Sequence, residues 1–505
     1  MKNKPILLLI AILFSALTGY AQADLSLIYG ETINNDDMYD KLSIIASDAL
    51  EGRETGERGQ KMAAAFIQYN FEKMGLIGPV KDSENPYFQN VPLVTSKPGD
   101  VWLRVKGKDL KNFEDILYLG NASLDYKDKE VILAGNGQDA DYEAVDVNGK
   151  SVIIYLGEGT RRGVSNKAYE NGAEFVLLVP AGNDDDFRNY IGRMSRFARG
   201  GGLSLDLPNR EASKGAVFIS SAIASDILGT SDDKIQKALA SEDKNQLKKI
   251  PTGKFTFNSE MVTEKITSEN VLGFLEGTDK KEELIIITAH YDHIGRNGDQ
   301  INNGADDDGS GTTSVIEIAE AFVAAKKNGN GPRRSILFMT VTGEEKGLLG
   351  SQYYTANPVF PLKNTVVNLN IDMVGRVDPK HVENPDYVYL VGSDRLSSEL
   401  HEISEKVNET FSQLDLDYTY NDENHPERIY YRSDHWNFAK NNVPIIFYFN
   451  GTHEDYHRPT DTIDKINFDM LVKRARLVYH TAWVLSNRDE RLVVDKVQET
   501  TIDTR

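Results

Sequence analysis

Cysteine is absent from all 505 residues. Disulfides, lipidated cysteines and thiolate metal sites are thereby excluded, so any metal must be held by nitrogen and oxygen. Basic residues are scarce as well: 57 Lys and Arg against 77 Asp and Glu leave a formal charge of −20. That balance argues against nucleic acid or an anionic membrane surface as partner, because both reward cations that neutralise phosphate. Histidine is missing from the first 289 residues, and all nine histidines lie between His290 and His480. Whatever residues 118–250 do, they cannot offer imidazole to a metal. The one notable apolar run, residues 6–17, follows Lys2 and Lys4 and precedes small residues before Ala21 or Ala23. It is short for a membrane span and has the layout of a signal peptide over 1–23. This predicts export to a periplasmic or secreted location, with no stable membrane association after cleavage.

What is present describes a globular protein, with 40% hydrophobic and 27% charged residues. The length predicts two structural units or more. From Met38 to Gly75 the pattern is helical, with Met62, Ala65, Phe66 and Tyr69 at the spacing of one helix face and Gly75 suited to its C-terminus. Residues 118–250 differ, with short β-type runs broken by Asp, Asn and Gly. Val152-Ile153-Ile154-Tyr155-Leu156 and Phe175-Val176-Leu177-Leu178-Val179 read as strands, with a short helix between them over 167–172. After Asn270 the order becomes strand, loop, helix, repeated. Strands are predicted over 335–341, 365–371 and 443–449. Helices are marked by Val315, Ile318, Ala319 and Phe322, by Leu396, Leu400, Ile403 and Val407, and by Leu471, Ala475, Val478, Ala482 and Leu485. This alternation predicts an α/β fold, a mixed, mostly parallel sheet with helices on both faces. The expected division is an N-terminal part of the main domain over 24–117, an insert over 118–250, the remainder of the main domain over 251–490, and a tail over 491–505.

The predicted strands end in chemistry. An apolar run over 284–289 opens into His290-Tyr291-Asp292-His293 and then Gly304-Ala305-Asp306-Asp307-Asp308-Gly309-Ser310-Gly311. An Asp run alone is ordinarily a solvated turn capping the next helix. Here Glu344 with Glu345, Asp372 and His457 follow three further strands, and in open α/β sheets ligands bind beyond the carboxyl ends of strands. Two histidines and three carboxylates suit a pair of divalent cations, zinc above all. Two ions need a shared carboxylate, for which Asp307 is the choice. Ions about 3.5–4 Å apart make a shared water acidic enough to act as hydroxide near neutral pH. Adjacent glutamates at a strand end point different ways, so one can bind metal while the other accepts the proton. His453-Glu454-Asp455-Tyr456-His457 also matches the H-E-x-x-H pattern of single-zinc proteases, but Gly451 and Pro459 leave too little chain for the helix that pattern needs.

Together these segments resemble the co-catalytic di-zinc aminopeptidase family, which includes glutamate carboxypeptidases, glutaminyl cyclases and transferrin receptors. The resemblance rests on Ala289-His290-Tyr291-Asp292, the 304–311 turn, Gly343-Glu344-Glu345-Lys346-Gly347, Asn370-Ile371-Asp372-Met373-Val374-Gly375 and Tyr456-His457-Arg458-Pro459-Thr460-Asp461-Thr462. Glu51-Gly52-Arg53 with Thr55-Gly56 extends it upstream. It implies a phosphorylase/hydrolase-like zinc peptidase fold and two Zn2+ per chain, with Co2+ or Mn2+ as substitutes. It makes His290, Asp307, Glu345, Asp372 and His457 the metal ligands, Glu344 the general base and Asp292 the carboxylate orienting His290. Tyr456 becomes an oxyanion or substrate contact, with a packed tyrosine as the alternative. Ser433-Asp434-His435 resembles a family segment near the site, with no catalytic role given to it. Val147-Asn148-Gly149-Lys150, Lys167 and Gly172-Ala173 are similar to a β-rich protease-associated domain. The implied activity is aminopeptidase hydrolysis of peptides. The alternatives are a dipeptidase or carboxypeptidase of the same family, a single-zinc glutaminyl-cyclase-like acyltransferase, and a non-catalytic binding module, which the complete ligand set disfavours.

Overall fold

The computed structural model describes residues 22–497 apart from 82, 158–162, 209–211 and 423. The expected signal peptide therefore lies outside the described residues except for its last two positions, as does the end of the expected tail from 498. Among the described residues no helix is long and apolar enough to cross a membrane. The chain forms two compact units, one from the residues up to Pro92 and from Thr267 onward, the other Leu93–Ile266.

In the first unit, helices α1 (Asn35–Ile45) and α2 (Arg58–Met74) precede a sheet built from β1 (Gly253–Leu275, whose later part belongs here), β2 (Lys280–His290), β3 (Arg334–Val341), β4 (Thr365–Ile371), β5 (Tyr387–Val391), β6 (Asp415–Asp417) and β7 (Ile445–Phe449). The spatial order is β6-β5-β7-β4-β2-β3-β1. The central run β7, β4, β2, β3 is parallel, with Ile371 opposite Tyr448, Thr288 opposite Asn370 and His290 opposite Val341. Parallel register places four carboxyl ends along one edge. The expected mixed, mostly parallel sheet is what the unit contains, and its strands show why both faces are covered. Ile285, Ile287 and Ala289 of β2 enter one hydrophobic core, while Leu284 and Ile286 enter another. Alternate residues of a strand point to opposite faces, so a run that is apolar throughout needs packing on both.

Helix α3 (Gly311–Lys327) is buried at 13 of its 17 residues, far beyond the predicted stripe of Val315, Ile318, Ala319 and Phe322. It lies within the unit, with Phe322 stacked 5.8 Å from Trp483 and 4.9 Å from Tyr479 of α7 (Phe468–Asn487; the intervening α4, α5 and α6 are Leu349–Ala356, Ser398–Val407 and His435–Ala439). The helix ending at Gly75 forms, and Gly75 takes the left-handed conformation at its C-cap. Its buried face differs from the predicted one: Met62 and Tyr69 are 42% and 59% exposed. Gly59, Gln60, Ala63, Ala64, Ile67 and Phe71 face inward instead. Close approach decides this, since a Cβ on Gly59 would stand 1.8 Å from the Leu50 carbonyl oxygen.

The second unit is wider than the expected 118–250. Residues 93–117, assigned above to the main domain, contribute Val101, Leu103, Val105, Leu110, Ile116 and Leu117 to its core. The boundary is hard to see because single strands, Phe88–Val105 and Gly253–Leu275, run across it without a turn. Inside the unit, Leu124–Leu133, Ser151–Tyr155, Phe175–Val179 and Ala216–Phe218 pair in parallel succession. It carries more helix than its short β-type runs suggest, with Val164–Glu170, Asp184–Ala198, Ser221–Leu228 and Asp232–Ala240. Start of the expected tail is packed rather than free, as Arg491 donates to the carbonyls of Lys363 and Thr365.

Truncating the aromatic anchor of α3, Phe322→Ala, is expected to cost about 3–5 kcal/mol. Urea unfolding followed by tryptophan fluorescence measures it, and an unchanged midpoint would show that the α3–α7 contact carries no weight.

Candidate metal centre

Four strand ends deliver the predicted residues to one place. His290 closes β2, Glu344 and Glu345 follow β3, Asp372 follows β4, and the loop after β7 brings Tyr456 and His457. His290 Nε2 lies 3.3 Å from Asp307 Oδ1 and 3.6 Å from Asp372 Oδ1. On the other side of Asp307, His457 Nε2 lies 3.1 Å from Asp307 Oδ2 and 3.1 Å from Glu345 Oε2. Asp307 thus turns one oxygen to each donor group, the arrangement a shared carboxylate requires.

The Asp run is not a solvated turn: all three residues are buried, and each does something different. Asp308 accepts backbone N–H bonds from His290, Gly311 and Met373, tying two strand ends to the start of α3. Asp306 accepts from Gly375 N–H and Ser310 Oγ, and its other oxygen meets His453 Nε2 at 3.1 Å. Only Asp307 is left facing the donors. Its orientation is set by Asp461, which accepts the N–H groups of Asp306 and Asp307. Residues 453–457 form turns rather than a helix, with His457 at φ 55°, so the H-E-x-x-H spacing does not place two histidines on one helical face.

Beneath the acidic cluster lies Arg53, fully buried. It donates to the carbonyls of Tyr291 (2.8 Å), Ile45 (2.6 Å), Asn303 (2.6 Å) and Gly304 (2.9 Å). The segment Glu51-Gly52-Arg53 is thereby the clamp that joins α1 to the loop at Asn303 and Gly304. Thr55 Oγ1 donates to Asp292 Oδ2, and Asp292 Oδ1 accepts the Glu344 N–H. Asp292 is next to His290, but the hydrogen-bonding contact of His290 Nδ1, at 3.0 Å, is with the Asp292 backbone carbonyl, while the carboxylate stands 3.8 Å away. The Asp292 carboxylate spans Thr55 and Glu344 instead. Tyr456 stacks on the His457 ring at 3.9 Å and lines a cavity with Asp307, Glu344, Asp372 and His457.

Charge confirms the direction of the fit. Burial pushes Asp307 up, but His290 and His457 outweigh it and hold its carboxyl well below the usual range. Burial lowers His457, and Asp307 and Glu345 overcome that to push it up to about 10. Glu344 goes the other way: burial holds it well above the usual carboxyl range, with Glu345 and Asp372 adding to the effect against His290. A cluster that draws protons onto its imidazoles is one that favours cations. Buried atoms without hydrogen-bond partners mark where a cation belongs, among them Asp307 Oδ2 and Glu345 Oε1. The donor set therefore fits divalent metal.

Two groups escaped sequence reasoning. Ser433 Oγ donates to Asp372 Oδ2 at 2.7 Å and itself accepts from Asn370 Nδ2, whose carbonyl oxygen accepts from Thr288 Oγ1. This chain fixes which oxygen Asp372 presents. His293 is fully buried with Nδ1 2.8 Å from Glu345 Oε1. Its place in the 290–293 motif was the only signal, and nothing in the spacing separates it from His290.

Residues 270–482 match the family model described as Peptidase family M28. A probable leucine aminopeptidase of Arthroderma otae is 31% identical over 214 residues, 41% of this chain and 55% of that protein. Aminopeptidase YwaD of Bacillus subtilis is 29% identical over 220 residues, 42% of this chain and 43% of that protein. The chain spans about half the length of these curated relatives. Among solved structures, an aminopeptidase from Aneurinibacillus sp. has TM-score 0.55 and 20% identity, covering 93% of this chain and 97% of that one. BSAP, a zinc aminopeptidase from Bacillus subtilis, has TM-score 0.50 and 21% identity, covering 92% and 98%. These two likenesses establish the fold.

Replacing Arg53 by Met removes the donor that four buried carbonyls share, leaving only that of Gly304 with a further N–H, from Gly309, and removes a cation from under the acidic loop. The expected loss is about 3 kcal/mol or more in unfolding free energy. Arg53→Lys should recover only part of it, since an ammonium cannot serve four acceptors in a fork. Equal stability of the Lys variant and the wild type would refute the clamp.

Proposed function

We propose, from the match of residues 270–482 to the model of peptidase family M28, that the protein is a zinc-dependent exopeptidase that removes N-terminal residues from peptides. The observation that carries this reading is Asp307 turning its two oxygens to two separate donor groups, His290 with Asp372 and His457 with Glu345. That arrangement supports two Zn2+ per chain, which a single-zinc acyltransferase would not need. Bound there, the ions supply Lewis acidity to the scissile carbonyl and acidity to water.

The chain's own groups do the rest. Glu344 Oε2 stands 4.0 Å from His290 Nε2 at the cavity wall, free of the Asp307 donor pairs. Its place at the cavity wall suits a group that takes a proton from water and hands it to a leaving amine. The Asp292 carboxylate, by accepting the Glu344 N–H, fixes the backbone from which that side chain projects. Tyr456 borders the same cavity and is placed to contact the substrate. Met373, Ile429, Phe447 and Phe449 supply an apolar wall, and Arg432 adds a cation. This supports an N-terminal residue with an apolar side chain and disfavours a cationic one. In the same reading the Leu93–Ile266 unit is a protease-associated insert, supported by the tight turn at 147–150, where Lys150 N–H bonds Val147 O and Gly149 N–H bonds Gly172 O. The N-terminal layout supports export.

Metal content by elemental analysis, paired with hydrolysis of aminoacyl anilides before and after chelation, tests the proposal. Two zinc ions per chain and chelator-sensitive release are expected, with no release when the substrate amine is acetylated. Cleavage of the acetylated substrate would replace the aminopeptidase with another peptidase. One ion without release, with pyroglutamate formed instead, would favour the cyclase. Leucyl anilide should exceed lysyl anilide in kcat/KM by about tenfold or more. Glu344→Gln should keep both ions and lose about 10²–10⁴-fold in kcat; turnover near the wild-type rate would sink the base assignment.

A further inference from the structure

His293 is unlike the other buried histidines of the unit. Both of its ring nitrogens are buried without a hydrogen-bond partner. By contrast His435 Nε2 meets the Tyr430 carbonyl, His453 Nε2 meets Asp306 and His480 Nδ1 meets Ser26. A buried imidazole with nothing to bond is costly, so something else satisfies it. Nδ1 lies 2.8 Å from Glu345 Oε1 and 3.8 Å from Asp307 Oδ2. Close as they are, Glu345 Oε1 and Asp307 Oδ2 are themselves without hydrogen-bond partners. Three orphaned donor atoms converge on one point.

The spacing identifies that point. Zinc holds nitrogen and oxygen at about 2.0–2.1 Å, so the corners of a tetrahedron around it stand about 3.3 Å apart. His293 Nδ1, Asp307 Oδ2, Glu345 and His457 Nε2 approach one another at 2.8, 3.8, 3.1 and 3.1 Å. The His293 and His457 rings meet at 68° with centroids 5.8 Å apart, so they approach from different sides rather than stack. His293 is also held in place from behind. Its N–H donates to the Arg53 carbonyl at 3.1 Å, and its ring occupies space that a Cβ on Gly304, at φ 55°, would invade at 2.6 Å.

We propose that His293 is a fourth protein ligand to the ion that Asp307, Glu345 and His457 would hold. The inference rests on the two-ion reading above and makes the two positions unequal. The His290, Asp307 and Asp372 set has three protein donors and faces Glu344 and the cavity, whereas the other set has four. The position with four protein donors should hold its ion more tightly, and limited chelation should empty the other first.

The test compares wild type with His293→Ala as full-length protein, stripped of metal and reloaded with Zn2+ against a chromophoric chelator, and with Co2+ for its visible spectrum. His293→Ala should weaken one of the two ions about a hundredfold or more and diminish the intense tetrahedral Co2+ bands. The metal-free proteins should melt alike, while the gain in Tm on adding Zn2+ should shrink in the variant. Unchanged affinities and an unchanged Co2+ spectrum would overturn the proposal, as would a fall in Tm confined to the metal-free form. Should the alanine variant fold poorly, His293→Asn answers the same question, because its amide is a poor zinc donor. A wild type that binds a single ion would refute the two-ion reading by itself; loss of that ion's affinity in the variant would still support His293 as ligand, and no loss would overturn it.

Discussion

Buried carboxylates repel one another and lose their hydration, and in this protein the edge of the sheet gathers Asp292, Asp306, Asp307, Asp308, Glu344, Glu345, Asp372, Asp434 and Asp461 within one unit, most of them fully buried. Each needs compensation, and the surrounding architecture supplies it in three forms. Backbone N–H groups at strand ends and at the start of α3 serve Asp306, Asp308 and Asp461. Buried guanidinium groups serve the cluster from below and beside, Arg53 among loop carbonyls and Arg376 at 3.9 Å from Asp461. Imidazoles face Asp306, Asp307, Glu345 and Asp372. The groups that could hold a cation are concentrated at the place where protein donors run out.

Much of this was readable from the chain. Strand 365–371 and the paired strands near 152 and 175 fall where β-branched runs placed them, because a strand buried on both faces must be apolar at every position. The fold and the family resemblance followed from that pattern and from motifs at the strand ends. The inward face of α2 did not follow. Gly59, Gln60, Ala63 and Ala64 are small or polar, so they carry no apolar signature, yet they pack where the helix approaches the backbone most closely. The limits of the second unit were hidden for a similar reason. Turn residues signal boundaries, and here long strands pass through without one.

Within the site, motifs located the segments and left the division of labour to geometry. Three consecutive aspartates are indistinguishable in sequence, and only their oxygens' partners separate a backbone organiser, a partner of His453 and a carboxylate turned to both His290 and His457. Asp292 was expected to orient His290 through its carboxylate, whereas its main-chain carbonyl makes that contact and its side chain links Thr55 to Glu344. Ser433 was given no role, yet its hydroxyl determines the free oxygen of Asp372. Such roles depend on side-chain direction, which spacing along a chain does not encode.

The donor atoms around Asp307 are all imidazole nitrogen or carboxylate oxygen, and the chain holds no thiol. Thiolate zinc sites release their metal when peroxide or disulfide exchange consumes the sulfur. None of the donors here is consumed in that way. A metal held by these donors would therefore answer to the supply of metal and of protons, and an oxidising or a reducing environment would leave its ligands the same.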